Sequence, residues 1–293
     1  IATVGALLWW WSRSLERVMT TAEAVPDASA VPASSRETPL FDPWLGLLPR
    51  TRVGAVAARE LRYTWREPRR RVQLVSGAVI PFILLAGVFS RGGLHHHRIV
   101  FGALVVAFLA GSNRAVNQIG LDGPAFWAHV SAGQDLRADL TGKNLAVALV
   151  TLPLTLVTGI LLALLSGGWA ELGVTVGVGA ALIAVLLGVG DVASILLPIP
   201  SPESAANAWA SQAGQGCTTG LLSVVVLGVE GVLCAPMVIP ALLLHGAAAR
   251  IALVAASLLY GAVVHLVGLS LAVRIGAGRG PELLERIGPR HST

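Results

Sequence analysis

Charge is scarce in this chain. Asp, Glu, Lys and Arg make up 13% of its 293 residues, about half the share of an average soluble domain. That shortage excludes an ordinary water-soluble globular fold. Lysine is nearly absent: Lys143 stands alone beside twenty arginines. The net charge of +5 does not indicate a nucleic-acid binder, because the arginines cluster beside apolar segments instead of spreading over a soluble surface. Two cysteines, Cys217 and Cys234, exclude a disulfide framework or a cysteine zinc site. Cys234 lies in an apolar run and reads as a small buried hydrophobe. Catalytic signatures are missing as well. Gly142-Lys143 is followed by Asn144 and has no glycine-rich loop before it, and there is no GxSxG, HExxH or CxxC. The chain reads as no enzyme, binding no cofactor or metal of its own.

What is abundant is apolar sequence. Hydrophobic residues reach 54% and the mean hydropathy is +0.72, so the pattern predicts an all-α, polytopic helical membrane protein. Six apolar segments approach the roughly 20 residues that a span needs. They lie at about 72–90, 98–113, 144–166, 170–197, 218–235 and 250–274. Residues 1–11 are apolar but too short to cross, and 1–19 reads as the end of a preceding span. Residues 20–49, rich in Ala, Ser and Pro, read as a cytoplasmic linker. Residues 50–67 predict an amphipathic helix. Val53, Val56, Ala57, Leu61 and Trp65 fall on one face and Arg52, Arg59, Arg62 and Arg66 on the other. This pattern suits either a helix in the membrane interface or an ordinary surface helix.

Positive charge orients the spans. With residues 50–67 cytoplasmic, eighteen of the Arg and Lys residues fall inside, while only Arg91, Arg98 and Arg250 fall outside. The 275–293 tail is then cytoplasmic too. The tryptophans lie at span ends or in the linker, the depth that indole prefers.

A few polar residues interrupt this pattern. Glu230 lies deep in an apolar run. Such a carboxylate either serves substrate passage or gating, or makes a protonated structural hydrogen bond. Asp191, near the inner end of its span, reads as a cap or loop anchor. His95–His97 form a tract that reads as a polar outer loop, with weak metal binding the alternative. His265 reads as a bond to a neighbouring helix. The 113–143 stretch is the longest polar connector and contains the turn signal Asp122-Gly123-Pro124. It is either a docking element or a plain solvated connector. Residues 236–248, with Pro236 and Pro240, read as a re-entrant or kinked piece, or else as an extension of the fifth span.

This layout resembles a permease of the type-2 class of ATP-binding-cassette exporters. The stretches ARELRYTWREPRRR, NQIGLDGPAFWAHV, DLRADLTGKNLA and VASILLPIPSP resemble the second half of two-half permeases of high-GC Gram-positive bacteria. The resemblance implies a 50–274 permease unit in the plasma (inner) membrane. Its elbow helix would be 50–67 and its cytoplasmic coupling segment 113–143. It implies a soluble ATPase dimer as partner, supplying ATP and Mg, together with a first permease half or a second permease. Asp122, Trp127, Asp135, Arg137 and Lys143 would then contact the ATPase. Arg59, Arg62, Trp65 and Arg66 would lie at the headgroups, and Glu230 in a pathway or gate. The implied function is export of a drug, antibiotic or lipid. Asp191 departs from the family pattern, where an uncharged amide is expected. Two other readings remain: an ion-coupled secondary transporter using Glu230, and a non-transporting membrane scaffold.

Overall fold

The computed structural model describes residues 45–67, 70–77, 79, 83, 96–131, 133, 135–199 and 216–287. The predicted span end at 1–19, most of the 20–49 linker, most of the 72–90 segment and the 200–215 connection lie outside the described residues, as does His95.

Among the described residues every regular element is helical. In chain order these are α1 (Arg52–Arg66), α2 (His96–Ala115), a 3-10 turn (Gly120–Ala125), α3 (Phe126–Ser131), α4 (Leu136–Ser166), a 3-10 turn (Trp169–Glu171), α5 (Leu172–Leu196), α6 (Gly216–Leu243), α7 (Ala247–Gly276) and α8 (Gly280–Ile287). Residues 70–77 are helical too. Among the described residues four helices are long and apolar enough to cross a membrane: α4, α5 with the turn before it, α6 and α7. At 1.5 Å per residue each exceeds the roughly 30 Å hydrocarbon core. The apolar part of α2, Val100–Ala115, is shorter.

Local chemistry sets the ends. Thr51 caps α1 by accepting from the Gly54 backbone N–H at 3.3 Å. Asp135 caps α4, its carboxylate accepting from the Arg137 N–H at 3.0 Å. Gly167 ends α4 in the left-handed region at φ 72°, a conformation that glycine adopts without strain. Helix α6 runs unbroken through Pro236 and Pro240 to Leu243. The re-entrant reading of 236–248 therefore gives way to extension of the fifth span. The likewise unexpected α8, within the 275–293 tail, is ordered because Leu283 and Ile287 bury among Ile119, Phe126, Leu140, Ile195 and Leu269.

Helix α5 is the hub, packing on α2, α4, α6 and α7. Val178, Leu182, Val185 and Leu186 of α5 meet Val100 and Leu104 of α2 and Cys234, Met237 and Ala241 of α6. Helices α6 and α7 face mostly outward, with Val232, Ile251 and Leu259 more than two-thirds exposed. Water does not tolerate so broad an apolar surface, so lipid is the solvent for these faces.

Lipid also removes the hydrophobic drive between helices, and close backbone packing takes its place. A Cβ on Gly268 would stand 2.3 Å from the Gly188 carbonyl oxygen, and one on Gly261 would stand 2.5 Å from that of Ala181. Two small-residue contacts seven residues apart thus seat α7 on α5. At the far end Arg250 of α7 pairs with Glu171 at 2.7 Å.

Candidate functional site

Polar side chains converge at the arginine-rich end of the bundle. There α1 lies against the first turns of α4, and a Cβ on Gly142 would stand 2.6 Å from the Val56 side chain. This close approach brings α1 and the 116–131 connector around the head of α4.

The centre of the site is Lys143, at 2% exposure. Its ammonium bonds the Asp122 carboxylate, lies 3.2 Å from Asp139 and donates to the Gln118 carbonyl at 3.1 Å. Arg59 reaches inward from α1 to Glu60 at 2.9 Å, Asp139 at 3.5 Å and Asp122 at 3.9 Å. Arg70 binds Glu60 and also Glu67, the latter at 2.8 Å. Burial pushes the Glu60 carboxyl up, but the charges of Arg70, Lys143 and Arg59 outweigh it and hold Glu60 below the ordinary carboxylate range. Each acid has a cation, so the cluster is ionised and self-compensated.

Asp122, His129 and Asp139 could by spacing hold a metal ion, their ligand atoms lying within 4.8 Å of one another. The surroundings argue otherwise. A guanidinium nitrogen of Arg59 lies 2.6 Å from His129 Nε2. Guanidinium only donates, so Nε2 accepts and Nδ1 carries the proton. Nδ1 faces Asp139 at 3.5 Å. The Lys143 ammonium already bridges the two carboxylates. The set is an ion-pair cluster in which the ammonium does the work of a metal.

Beneath it lies a relay of side-chain amides ending on a carboxyl. Gln118 donates its amide to Asn144 at 2.8 Å, and Asn144 donates its own to Asp191 at 2.8 Å. Ser194 accepts from the Gln118 backbone N–H at 3.0 Å. Asn117 exchanges two hydrogen bonds of 2.9 Å with the Ile199 backbone. These bonds stitch the end of α2 to the end of α5 and the head of α4. Asp191 is wholly buried in that layer. It is an interior bridge between helices, not the cap or loop anchor expected of an interfacial acid.

Glu230 of α6 is also fully buried and accepts a hydrogen bond from Ser112 of α2. Its other oxygen has no hydrogen-bond partner among the described residues. His265 lies where α7 crosses Gly188 of α5.

The candidate docking residues separate into two groups. Trp127 is 62% exposed, and Asp135 and Arg137 are exposed beside it at the head of α4. Asp122 and Lys143 instead point into the ion cluster, where a surface partner does not reach them. Their pairing removes charge from the apolar interior, which is why they turn inward. On α1, Trp65 and Arg66 are exposed and Arg62 half-buried, while Arg59 is spent on the cluster. Glu60, Arg70, His129, Asp139, Gln118 and Asn144 were not anticipated from sequence. Asp139 and Lys143 at i, i+4 and the acid Glu60 next to the apolar face of α1 were the available signals.

Comparison of the chain with known protein families, with characterised proteins and with solved structures finds no match.

Proposed function

We propose that this chain is the membrane-spanning permease unit of an ATP-driven exporter of the type-2 ATP-binding-cassette class, moving an amphiphilic substrate with energy from a separate ATPase. Six spans are proposed: the four long helices, α2, and the 72–90 segment. The observation that carries the reading is the joint placement of α1, the folded connector 116–131 and α8 at one end of the bundle. That end also holds Arg114, Arg137, Arg274, Arg279 and Arg286, which supports a cytoplasmic assignment under the positive-inside rule. A partner gripping Trp127, Asp135 and Arg137 there pulls on the head of α4 and, through Lys143 and Asp122, on α1. ATP-driven closure then shifts the bundle only if the two states differ in interaction energy, and the ion cluster is an element able to supply such a difference.

The test is a mild-detergent pull-down of the full parent protein with assay of ATPase activity. A stoichiometric cassette ATPase, lost on Trp127→Ala with Arg137→Glu, supports the reading. A clean preparation without ATPase overturns it.

One observation favours a second reading, the ion-coupled transporter. Glu230 is buried among apolar helices, and one of its oxygens has no hydrogen-bond partner among the described residues, a placement that suits an intramembrane proton or cation site. Under the permease reading transport in reconstituted vesicles requires the ATPase and ATP and runs without a proton gradient. Under the ion-coupled reading it runs on a proton gradient with no ATPase, and Glu230→Gln abolishes it.

A further inference from the structure

Among the described residues, one cation beside the ion cluster has no carboxylate partner. Arg114, in the last turn of α2, donates to Thr64 at 3.0 Å, and its Nε is buried without a partner among the described residues. Among the described residues no carboxylate forms an ion pair with it. Glu60 is the nearest candidate, and its charge is taken by Arg59 and Arg70. Arg114 lines a cleft with Thr64, Arg70, Gln73 and Gln118, and Glu60 also borders it. The cleft lies at the arginine-rich end, where spans meet headgroups.

A second feature begins beside it. Gln73 and Asn113 join the 70–77 helix to α2 through reciprocal side-chain-to-backbone hydrogen bonds, and Gly77 rests on Ala110. The opposite face carries Val72, Val75, Val79 and Ile83, which are 39% to 65% exposed. Their spacing of three, four and four residues puts them on one helical stripe. A cation with no counter-ion among the described residues thus sits at the head of an apolar track about 16 Å long, roughly the depth of one leaflet.

We propose that the cleft beside Arg114 binds the phosphate of an anionic phospholipid, with an acyl chain lying along Val72, Val75, Val79 and Ile83. A guanidinium matches a phosphate in fork geometry and is desolvated at lower cost than an ammonium. The lipid phosphate supplies the anion that no described residue provides, and the glycerol backbone passes the edge of the cleft to the stripe. The proposal rests on membrane embedding and is independent of the transport reading.

The full chain is purified in mild detergent, and retained lipid is read by native mass spectrometry. Thermal unfolding is then followed in nanodiscs of phosphatidylcholine with and without phosphatidylglycerol. The expected result is several-fold retention of phosphatidylglycerol over phosphatidylcholine and a higher unfolding temperature in its presence. Both are lost in Arg114→Gln, partly kept in Arg114→Lys, and kept in Arg52→Gln, which removes an exposed arginine of α1. Equal retention of the two lipids by the wild-type protein overturns the proposal, whatever the variants do. So does an equal loss in Arg52→Gln, which would mark general surface charge. If inorganic phosphate alone reproduces the stabilisation, the site takes free phosphate and the lipid assignment falls.

Discussion

Lys143 shows how one buried charge organises a site. It is the only lysine in the chain and neutralises two carboxylates in a region with little water. Lys143→Met leaves Asp122 and Asp139 sharing Arg59 alone. Removing one partner of a buried pair costs about 3–5 kcal/mol, so this variant should unfold at markedly lower temperature in detergent. Glu60 gives a pH signature. Its folded value lies below its unfolded one, so its contribution is fully present above the ordinary carboxylate range and disappears as pH falls through the lowered folded value. Thermal unfolding across acidic pH should show wild type losing stability more steeply than Glu60→Gln, and parallel curves would contradict the assignment. Glu230→Gln keeps an acceptor for Ser112 and should change stability by no more than about 1 kcal/mol. Glu230→Leu strands that hydroxyl and should cost more.

At the scale of elements, α5 and α7 depend on the absence of side chains where they cross. Gly268→Val puts a branched carbon against the Gly188 carbonyl and forces the helices apart. The overpacking cost is about 1–3 kcal/mol or more, which a denaturant titration in micelles measures against Gly220→Val, whose site is open. Gly142 does the same for α1 on α4. Gly142→Leu should release α1, and limited proteolysis near residues 50–67 should become faster. Helix α6 accommodates Pro236 and Pro240 without a break, as spans do when neighbouring groups satisfy the freed carbonyls.

For the whole molecule, the broad apolar exposure of α6 and α7 and the gathering of positive charge at one end describe a bundle oriented in lipid. Single cysteines introduced at Arg137 and at Ser166, in a background with Cys217 and Cys234 replaced, should label from opposite sides of sealed vesicles. Labelling from the same side would remove the span assignment of α4.

Membrane embedding, the all-helical class and the positions of α1, α4, α5 and α7 were legible in the sequence, because lipid solvation demands long uninterrupted apolar runs and those runs are visible residue by residue. The sequence did not indicate which neighbour α5 packs on, that Asp122 and Lys143 turn inward while Trp127 and Arg137 stay out, or that Asp191 bridges helices. Those outcomes depend on residues such as Glu60 and Asp139, or Gln118 and Asn144, that lie far apart in the chain and meet only when the helices pack. Periodicity carries the local solvent preference of one helix. The pairing of buried charges is a property of several helices together, and only the tertiary structure decides it.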